Sequence, residues 1–284
     1  MKRILITGAG SYIGTSFEHY LEKFDRYEIK TIDMTDSDWQ NNSFSGYDAV
    51  FHVAGIAHSD TRKAGDDVKQ KYYSVNTELT VQTAKKAKAE GVHQFIFMSS
   101  MIVFGSKNER IEKNTVENPD NFYGESKLLA DKGIRQLESD EFKVVSVRPP
   151  MIYGRASKGN YPLLAKFAKR APFFPATENK RSMLYIENLC EFIRLMIEND
   201  ESGTFYPQNS EYVNTSDMVK RIANLCGNNI RLTKIFNPAL KIFHNNPIIR
   251  KVFGSMYYAK EMSNYNNFAY CVCDFEESIR RCEG

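Results

Sequence analysis

Long apolar runs are missing from this 284-residue sequence. No stretch of about 18 consecutive apolar side chains occurs, so a membrane-spanning helix is not expected. The amino terminus lacks the apolar segment and small-residue cleavage site of a secretory leader, because Met1-Lys2-Arg3 runs straight into a strand pattern. A soluble, cytoplasmic protein is expected. Cysteine is sparse: five residues, odd in number, without the paired spacing of a zinc site. That argues against a disulfide framework and against a metal centre, and Cys271-Val272-Cys273 reads as an alternating strand instead. The five histidines form no ligand pair four residues apart. An excess of one charge is missing too. The formal net charge is +3, no basic tract dominates, and no nucleic-acid module is recognisable, so nucleic acid is not an expected partner. Repeats and low-complexity segments are likewise absent.

What is present is alternation. Short β-branched or aromatic runs at Lys2–Thr7, Tyr27–Asp33, Ala49–Val53, Gln94–Met98 and Lys143–Arg148 read as strands. Helical patterns at Tyr12–Phe24, Tyr73–Glu90 and Asn121–Leu137 separate them. This order predicts a parallel sheet built from βαβ units. Only about 15 residues separate the second strand from the third, short for a helix and a further strand, so one side of the sheet is expected to be trimmed.

Two segments carry chemistry. Ile4-Leu5-Ile6-Thr7-Gly8-Ala9-Gly10-Ser11-Tyr12-Ile13-Gly14 reads as a buried strand, a glycine-bearing turn and a helix start. Such a turn presents backbone N–H groups and a helix N-terminus to a pyrophosphate. Gly8 is expected at the tight turn and Gly14 where helix and strand pack closely. Asp33 follows Gly14 by 19 residues at the end of the second strand. A carboxylate there suits ribose hydroxyls and repels a 2′-phosphate, which favours NAD over NADP. In the second segment, Tyr123-Gly124-Glu125-Ser126-Lys127, a phenol and an ammonium lie four residues apart on one helix face. Hydride transfer at a carbon bearing oxygen needs a proton to move on that oxygen, and a tyrosine tuned by a lysine can move it.

With Phe95-Ile96-Phe97-Met98-Ser99-Ser100 as a hydroxyl-ending strand before them, these segments resemble the extended short-chain dehydrogenase/reductase family. That family comprises the NAD-dependent sugar epimerases and dehydratases, with UDP-glucose 4-epimerase as the nearest type. The resemblance covers essentially the whole chain and implies a Rossmann-type doubly wound α/β sheet with a smaller carboxy-terminal substrate-binding lobe. It implies NAD as cofactor and catalytic roles for Ser100, Tyr123 and Lys127. The Val-Tyr-Gly motif, here Val103-Phe104-Gly105, selects Ser100 over Ser99. The resemblance further implies that Gly8, Gly10, Ser11, Tyr12, Ile13, Gly14, Asp33, Val53, Ala54, Gly55, Asn76 and Pro150 bind the cofactor, joined by Tyr123 and Lys127. Ser11 stands where the family's middle glycine falls, and Asp33 faces either the ribose or, in the family's alternative alignment of Asp33-Met34-Thr35-Asp36, the adenine.

Substrate contacts follow from the same resemblance. Arg181 matches the arginine that contacts a nucleotide-sugar diphosphate, and Met151 replaces a substrate-binding asparagine; Ser100 and Tyr123 would touch the reacting oxygen. Dehydratases of the family carry an Asp-Glu pair after the catalytic hydroxyl, whereas Met101-Ile102 stands here, so 4,6-dehydration is not expected. The leading expectation is an NAD-dependent 4-epimerase of a nucleotide sugar, with a UDP-hexose foremost. A 4-keto-sugar reductase and a catalytically silent nucleotide-sensing protein are the alternatives. The expected division is an NAD-binding domain over 1–154 plus about 187–214, and a substrate lobe over 155–186 and 215–284. Leu184–Glu198 and Thr204–Pro207 supply the returning helix and strand. A homodimer through helices including the Tyr123 one is implied by resemblance alone. Residues 155–181 carry seven basic side chains against Glu178, either a solvated helix face or contact with an anionic substrate group. A second tract, 231–260, has six basic residues and no acid, and lines the same cleft or docks on an acidic membrane or a glycosyltransferase partner; its interleaved apolar residues, Ile242 and Phe243 among them, read as core ahead of a docking face.

Overall fold

The computed structural model describes residues 1–57, 65–243 and 246–284. Along the chain run β1 (Lys2–Thr7), α1 (Tyr12–Leu21), β2 (Tyr27–Ile32), β3 (Ala49–His52), α2 (Asp66–Tyr73), α3 (Leu79–Ala89), β4 (Gln94–Met98), β5 (Arg110–Ile111) and α4 (Phe122–Arg135). Then follow β6 (Lys143–Val147), β7 (Met151–Tyr153), α5 (Asn160–Ala168), β8 (Phe173–Pro175), β9 (Met183–Tyr185), α6 (Ile186–Glu198), β10 (Gly203–Phe205), α7 (Thr215–Leu225), β11 (Arg231–Thr233) and α8 (Asn237–Ile242). The chain packs as two compact units. The first comprises Met1–Ser106, Thr115–Pro149 and Leu189–Pro207; the second comprises Lys107–Asn114, Pro150–Asn188 and Gln208–Gly284.

In the first unit a six-stranded sheet has the order β10-β6-β4-β3-β1-β2, every neighbouring pair parallel. A parallel sheet needs both faces covered, and its strands accordingly read as near-continuous apolar runs. On one face Leu5, Val50, Phe95 and Val144 pack with Ala84 and Ala87 of α3 and with Ala130 and Ile134 of α4. On the other, Phe17 of α1 meets Phe51 edge-on at 5.0 Å, and Phe192 of α6 meets Phe205 at 5.9 Å. The winding direction reverses between β1 and β3. Their carboxyl ends therefore open the crevice where such folds bind ligands.

The short link after β2 holds only one 3-10 turn, Trp39–Asn41. Met34, Trp39, Phe44 and Tyr47 fold into the core beside Leu5 and Ile32, filling the space a helix would occupy. β2 is thus the edge strand.

Several elements depart from expectation. The first helix stops at Leu21, short of Phe24. The second helical pattern begins at Asp66 rather than Tyr73 and contains a π-helical turn, Ser74–Glu78. Residues 183–185 form β9 before the helix that starts at Ile186. Cys271–Cys273 is no strand: the amides of Cys271 and Val272 close local turns onto Phe268 and Tyr270. Apolar character in 231–260 does not mean burial either, since Ile242 is 74% and Phe243 57% exposed. No helix among the described residues is long and apolar enough to cross a membrane.

In the second unit β7 pairs with β9, β8 with β11, and Arg110–Ile111 with Tyr257–Tyr258. Each ladder is only two or three residues long. The unit has its own apolar core, Leu184, Met218, Ile222 and Ile279 among it, crossed by hydrogen-bonded buried polar side chains such as Asn179, Gln208 and Asn209.

Candidate active site

The glycine turn is shaped by contact with the neighbouring strand. Gly8 has φ +127°, and a Cβ there would lie 2.7 Å from the backbone nitrogen of Ala54. The amides of Val53 and Ala54 both donate to the Thr7 carbonyl, at 3.0 and 2.9 Å, which clamps the end of β3 against the turn. Gly14 sits where a Cβ would press on Val53 and Ile6 at 3.1 and 3.2 Å. Gly10 also has positive φ, +68°, but stands in open space, with nothing within 4 Å of a built Cβ.

Ser11, in place of a glycine, caps α1: its hydroxyl oxygen accepts the Gly14 N–H at 3.1 Å. A serine is a preferred cap because it satisfies one of the orphan donors of the first turn. Tyr12 and Ile13 open the helix, half-buried. Backbone without Cβ atoms, approached closely by a strand end and followed by a helix N-terminus, fits the pyrophosphate of a dinucleotide.

Asp33 follows the last residue of β2, and the Gly8 and Ala9 amides both donate to the adjacent Ile32 carbonyl. Its exposed carboxylate accepts from the Thr35 amide and hydroxyl, each at 2.8 Å, which holds its pKa below the ordinary value. Because β2 pairs directly with β1, Asp33 lies next to the glycine turn, where a ribose hydroxyl would be met.

The proton-transfer groups are set by α4 and the 3-10 turn Met101–Phe104. Asn121 caps α4 by accepting the Gly124 N–H at 2.9 Å. Gly124 lets this helix end approach the turn: a Cβ would stand 2.9 Å from the Ile102 carbonyl oxygen. Ser100 caps that turn and faces Tyr123, while the Ser99 hydroxyl turns away into the core and donates to Asp131 at 3.2 Å. Tyr123 is half-buried. Burial raises its pKa, the hydrogen bond with Ser100 works in the opposite direction, and Tyr72 adds to the rise. The expected lowering by Lys127 is therefore not what governs the phenol in this environment.

Lys127 is buried, donates to the Met98 carbonyl at 2.8 Å and lies 4.7 Å over the Phe97 ring. Burial pulls its pKa down to about 8, with Asp131 opposing. Gly55 makes room for it: a Cβ there would be 3.0 Å from both the Lys127 Nζ and the Asn76 Oδ1. Asn76, fully buried in the π-helical turn, accepts from the Ile56 amide at 2.8 Å and donates to the Ile56 carbonyl and the Ser126 hydroxyl, each at 3.1 Å. It ties the β3 loop to the Tyr/Lys helix. The π turn is the kind of irregularity that recurs at functional sites.

A buried polar layer beneath these groups was not anticipated. Asp131, one turn beyond Lys127, is fully buried and accepts from Ser99, Ser146 and Arg148. Arg148 in turn pairs with Glu117 at 2.6 Å and lies over Phe104 at 5.4 Å. The spacing Tyr123, Lys127, Asp131 was the available signal, since it places three polar groups on one helix face. His52 is neutral, its pKa pushed down to about 3 by burial first and by Lys127 second, and its two ring nitrogens meet Thr7 at 2.7 Å and Thr80 at 3.0 Å.

Pro150, buried, opens the 150–188 segment of the second unit. Within that unit Met151 and Arg181 line one small pocket, together with Asn160, Thr215 and Lys251. Arg181 exchanges backbone hydrogen bonds with Val213 and donates from Nη1 to the Gly254 carbonyl at 2.8 Å. Burial lowers its pKa.

Known proteins resemble this chain in sequence and in fold. The NAD dependent epimerase/dehydratase family model matches residues 4–207. UDP-glucose 4-epimerase from Vibrio cholerae is 30% identical over 249 residues, 78% of this chain and 75% of the relative. N-acetyl-alpha-D-glucosaminyl-diphospho-ditrans,octacis-undecaprenol 4-epimerase from Escherichia coli is 28% identical over 218 residues, 70% of this chain and 64% of the relative. In fold, dTDP-4-dehydrorhamnose reductase from Bacillus anthracis in complex with NADP gives a TM-score of 0.75 at 18% identity, covering 99% of each chain. The matched family model spans the glycine turn, the Ser100 turn and the Tyr/Lys helix, and the chain belongs to the NAD dependent epimerase/dehydratase family as an NAD-dependent enzyme of the epimerase and oxidoreductase type.

Proposed function

We propose that the protein is a 4-epimerase of a sugar carried on a diphosphate. The meeting of Ser100 with Tyr123 one helical turn before Lys127 is the observation that carries this reading. The Vibrio cholerae and Escherichia coli relatives are named as sugar 4-epimerases, one for UDP-glucose and one for a sugar joined through a diphosphate to undecaprenol. What their names share is a sugar diphosphate.

The chain's own groups divide the work. Tyr123 takes the proton from the sugar hydroxyl and returns it, while Ser100 holds the same oxygen by a hydrogen bond. A buried phenol resists ionisation, so the phenolate needs positive charge nearby, from the Lys127 ammonium and from the oxidised nicotinamide ring. Gly8, Gly10, Ser11, Tyr12, Ile13 and Gly14 would hold the cofactor's pyrophosphate, Asp33 its ribose, and Val53, Ala54, Gly55, Asn76 and Pro150 its nicotinamide half. When bound, NAD supplies reversible hydride exchange at the sugar carbon. Met101 is buried and no carboxylate stands at 101 or 102, which supports epimerisation over dehydration. Arg181 would meet the diphosphate through its planar fork of donors, with Met151 beside it.

Mass spectrometry of nucleotide released from gently denatured protein, followed by NMR of sugar diphosphates incubated with the intact enzyme, tests the reading. Retained NAD and interconversion at C4 are expected, with Tyr123→Phe slowing turnover by about 10²–10⁴-fold. An empty protein that consumes added cofactor while reducing 4-keto sugars would instead establish a reductase.

A further inference from the structure

Beside the Arg181 pocket, within the second unit, lies an apolar cavity of about 440 Å³. Leu163, Phe167, Phe173, Phe174, Phe236 and Phe253 supply most of its wall, and Asn160 is the one polar side chain that lines it. Asn160, Leu164 and Val252 line both spaces, so the cavity adjoins the pocket that holds Arg181 and Lys251. Among the described residues neither lining contains an acid. A nucleobase would bring two polar ring edges into this cavity. Among the lining residues Pro175 has no N–H to give, and the side chains other than Asn160 offer no polar atom. Polar edges left without partners in an apolar space are strongly disfavoured. A hydrocarbon chain has no such requirement and gains from every methylene it buries. The rim is apolar as well: Leu163 is 67%, Phe173 49% and Phe236 45% exposed.

We propose that this cavity receives the apolar chain of a polyprenyl diphosphate-linked sugar, with Arg181 and Lys251 at the diphosphate, so that the sugar's carrier is a lipid and not a nucleoside. This rests on the epimerase reading above and deepens it. Charge and apolar surface are arranged in the order that such a ligand presents them, diphosphate first and hydrocarbon behind.

Calorimetric binding of farnesyl diphosphate, UDP, inorganic pyrophosphate and farnesol to the NAD-loaded full chain tests the assignment without requiring turnover. Farnesyl diphosphate is expected to bind at least about tenfold more tightly than UDP or pyrophosphate, because a largely buried chain adds affinity with each methylene. Farnesol, lacking the charge, is expected to bind at least about tenfold more weakly than farnesyl diphosphate. Phe236→Asp, at an exposed position that does not threaten folding, should collapse the ratio between farnesyl diphosphate and pyrophosphate; Leu163→Asp repeats the test at a second rim site. UDP binding as tightly as farnesyl diphosphate, farnesol matching it, or ratios unmoved by both substitutions would overturn the proposal. A protein that binds farnesyl diphosphate in this pattern yet epimerises nothing would refute the activity and keep the carrier. One that epimerises UDP-sugars but ignores farnesyl diphosphate would do the reverse.

Discussion

Replacing Asp131 with asparagine probes the buried layer under the active-site helix through two independent quantities. Asp131 is fully buried, and Arg148 reaches it through both Nε and Nη2 at 2.8 Å. The amide keeps one acceptor oxygen but sets an NH₂ group against donors that now lack a partner. Breaking a buried ion pair costs about 3–5 kcal/mol. Arg148 retains Glu117 as a counter-charge at 2.6 Å, which brings the expected loss of stability to about 2–3 kcal/mol. Urea denaturation with an unchanged m-value reads it. The second quantity is the titration of Lys127, where the Asp131 charge opposes the effect of burial. Lys127 has a native pKa of about 8 against 10.5 for the ordinary group. Between those values the unfolded chain holds more protons than the native one, so this group's contribution to stability rises with pH across the window, and below it the full cost of burying the ammonium is present. Asp131→Asn should move the native titration below 8 and widen the window downward. NMR of ¹³C-labelled lysine side chains follows it directly. A Lys127 titration that stays put or moves up, or a stability loss below about 1 kcal/mol, would refute the assignment of Asp131 as its electrostatic support.

Asn76→Asp should do the opposite to Lys127, because it brings a carboxylate to the position now held by an amide beside the ammonium; the same NMR titration should move above 8, and a downward move would show that the two side chains do not communicate. Gly8→Ala places a Cβ 2.7 Å from the Ala54 nitrogen at φ +127°, and should cost about 2–4 kcal/mol of stability together with retained NAD; undiminished NAD content per chain would exclude the close approach. Ser100→Ala should slow turnover by about 10²-fold with little change in melting temperature, whereas Ser99→Ala should cost about 1 kcal/mol of stability through its lost bond to Asp131. The reverse pattern would exchange the roles of the two hydroxyls.

The sheet was legible because its central strands β3, β4 and β6 are apolar runs buried on both faces, separated by helices long enough to show their period. The trimmed side was legible from segment length alone, although the Trp39 plug that fills it was not. The second unit was far less legible. Its ladders are two or three residues long, too short for alternation to mean anything, and Cys271–Cys273 illustrates the failure: three alternating residues fit a strand equally well when local turns use their amides. Ile242 and Phe243 failed for a different reason. Hydrophobicity alone does not establish burial, because an exposed apolar surface has the same composition and differs only in what covers it.

For the site, the sequence revealed periodicity but not depth. Tyr123 and Lys127 stand out because four residues bring two side chains onto one face, and the same rule extended by one more turn reaches Asp131. Nothing in that rule says that Asp131 is buried or that Arg148, 17 residues on, arrives from β6 to meet it. Depth also reverses the electrostatic expectation for the phenol. A lysine beside a solvated tyrosine lowers its pKa, but burial acts on Tyr123 first and on Lys127 too, so each charged form starts at a disadvantage. Gly55 makes this arrangement possible. Without a Cβ, the loop after β3 admits Asn76 and Lys127 together, and an alanine there would press on both at 3.0 Å, so that the flexible lysine gives way. Gly55→Ala should therefore loosen the lysine and shift its titration toward 10.5, a change visible in the NMR experiment even if no substrate is ever found. A Lys127 still titrating near 8 in that variant would show that its burial does not depend on the missing side chain.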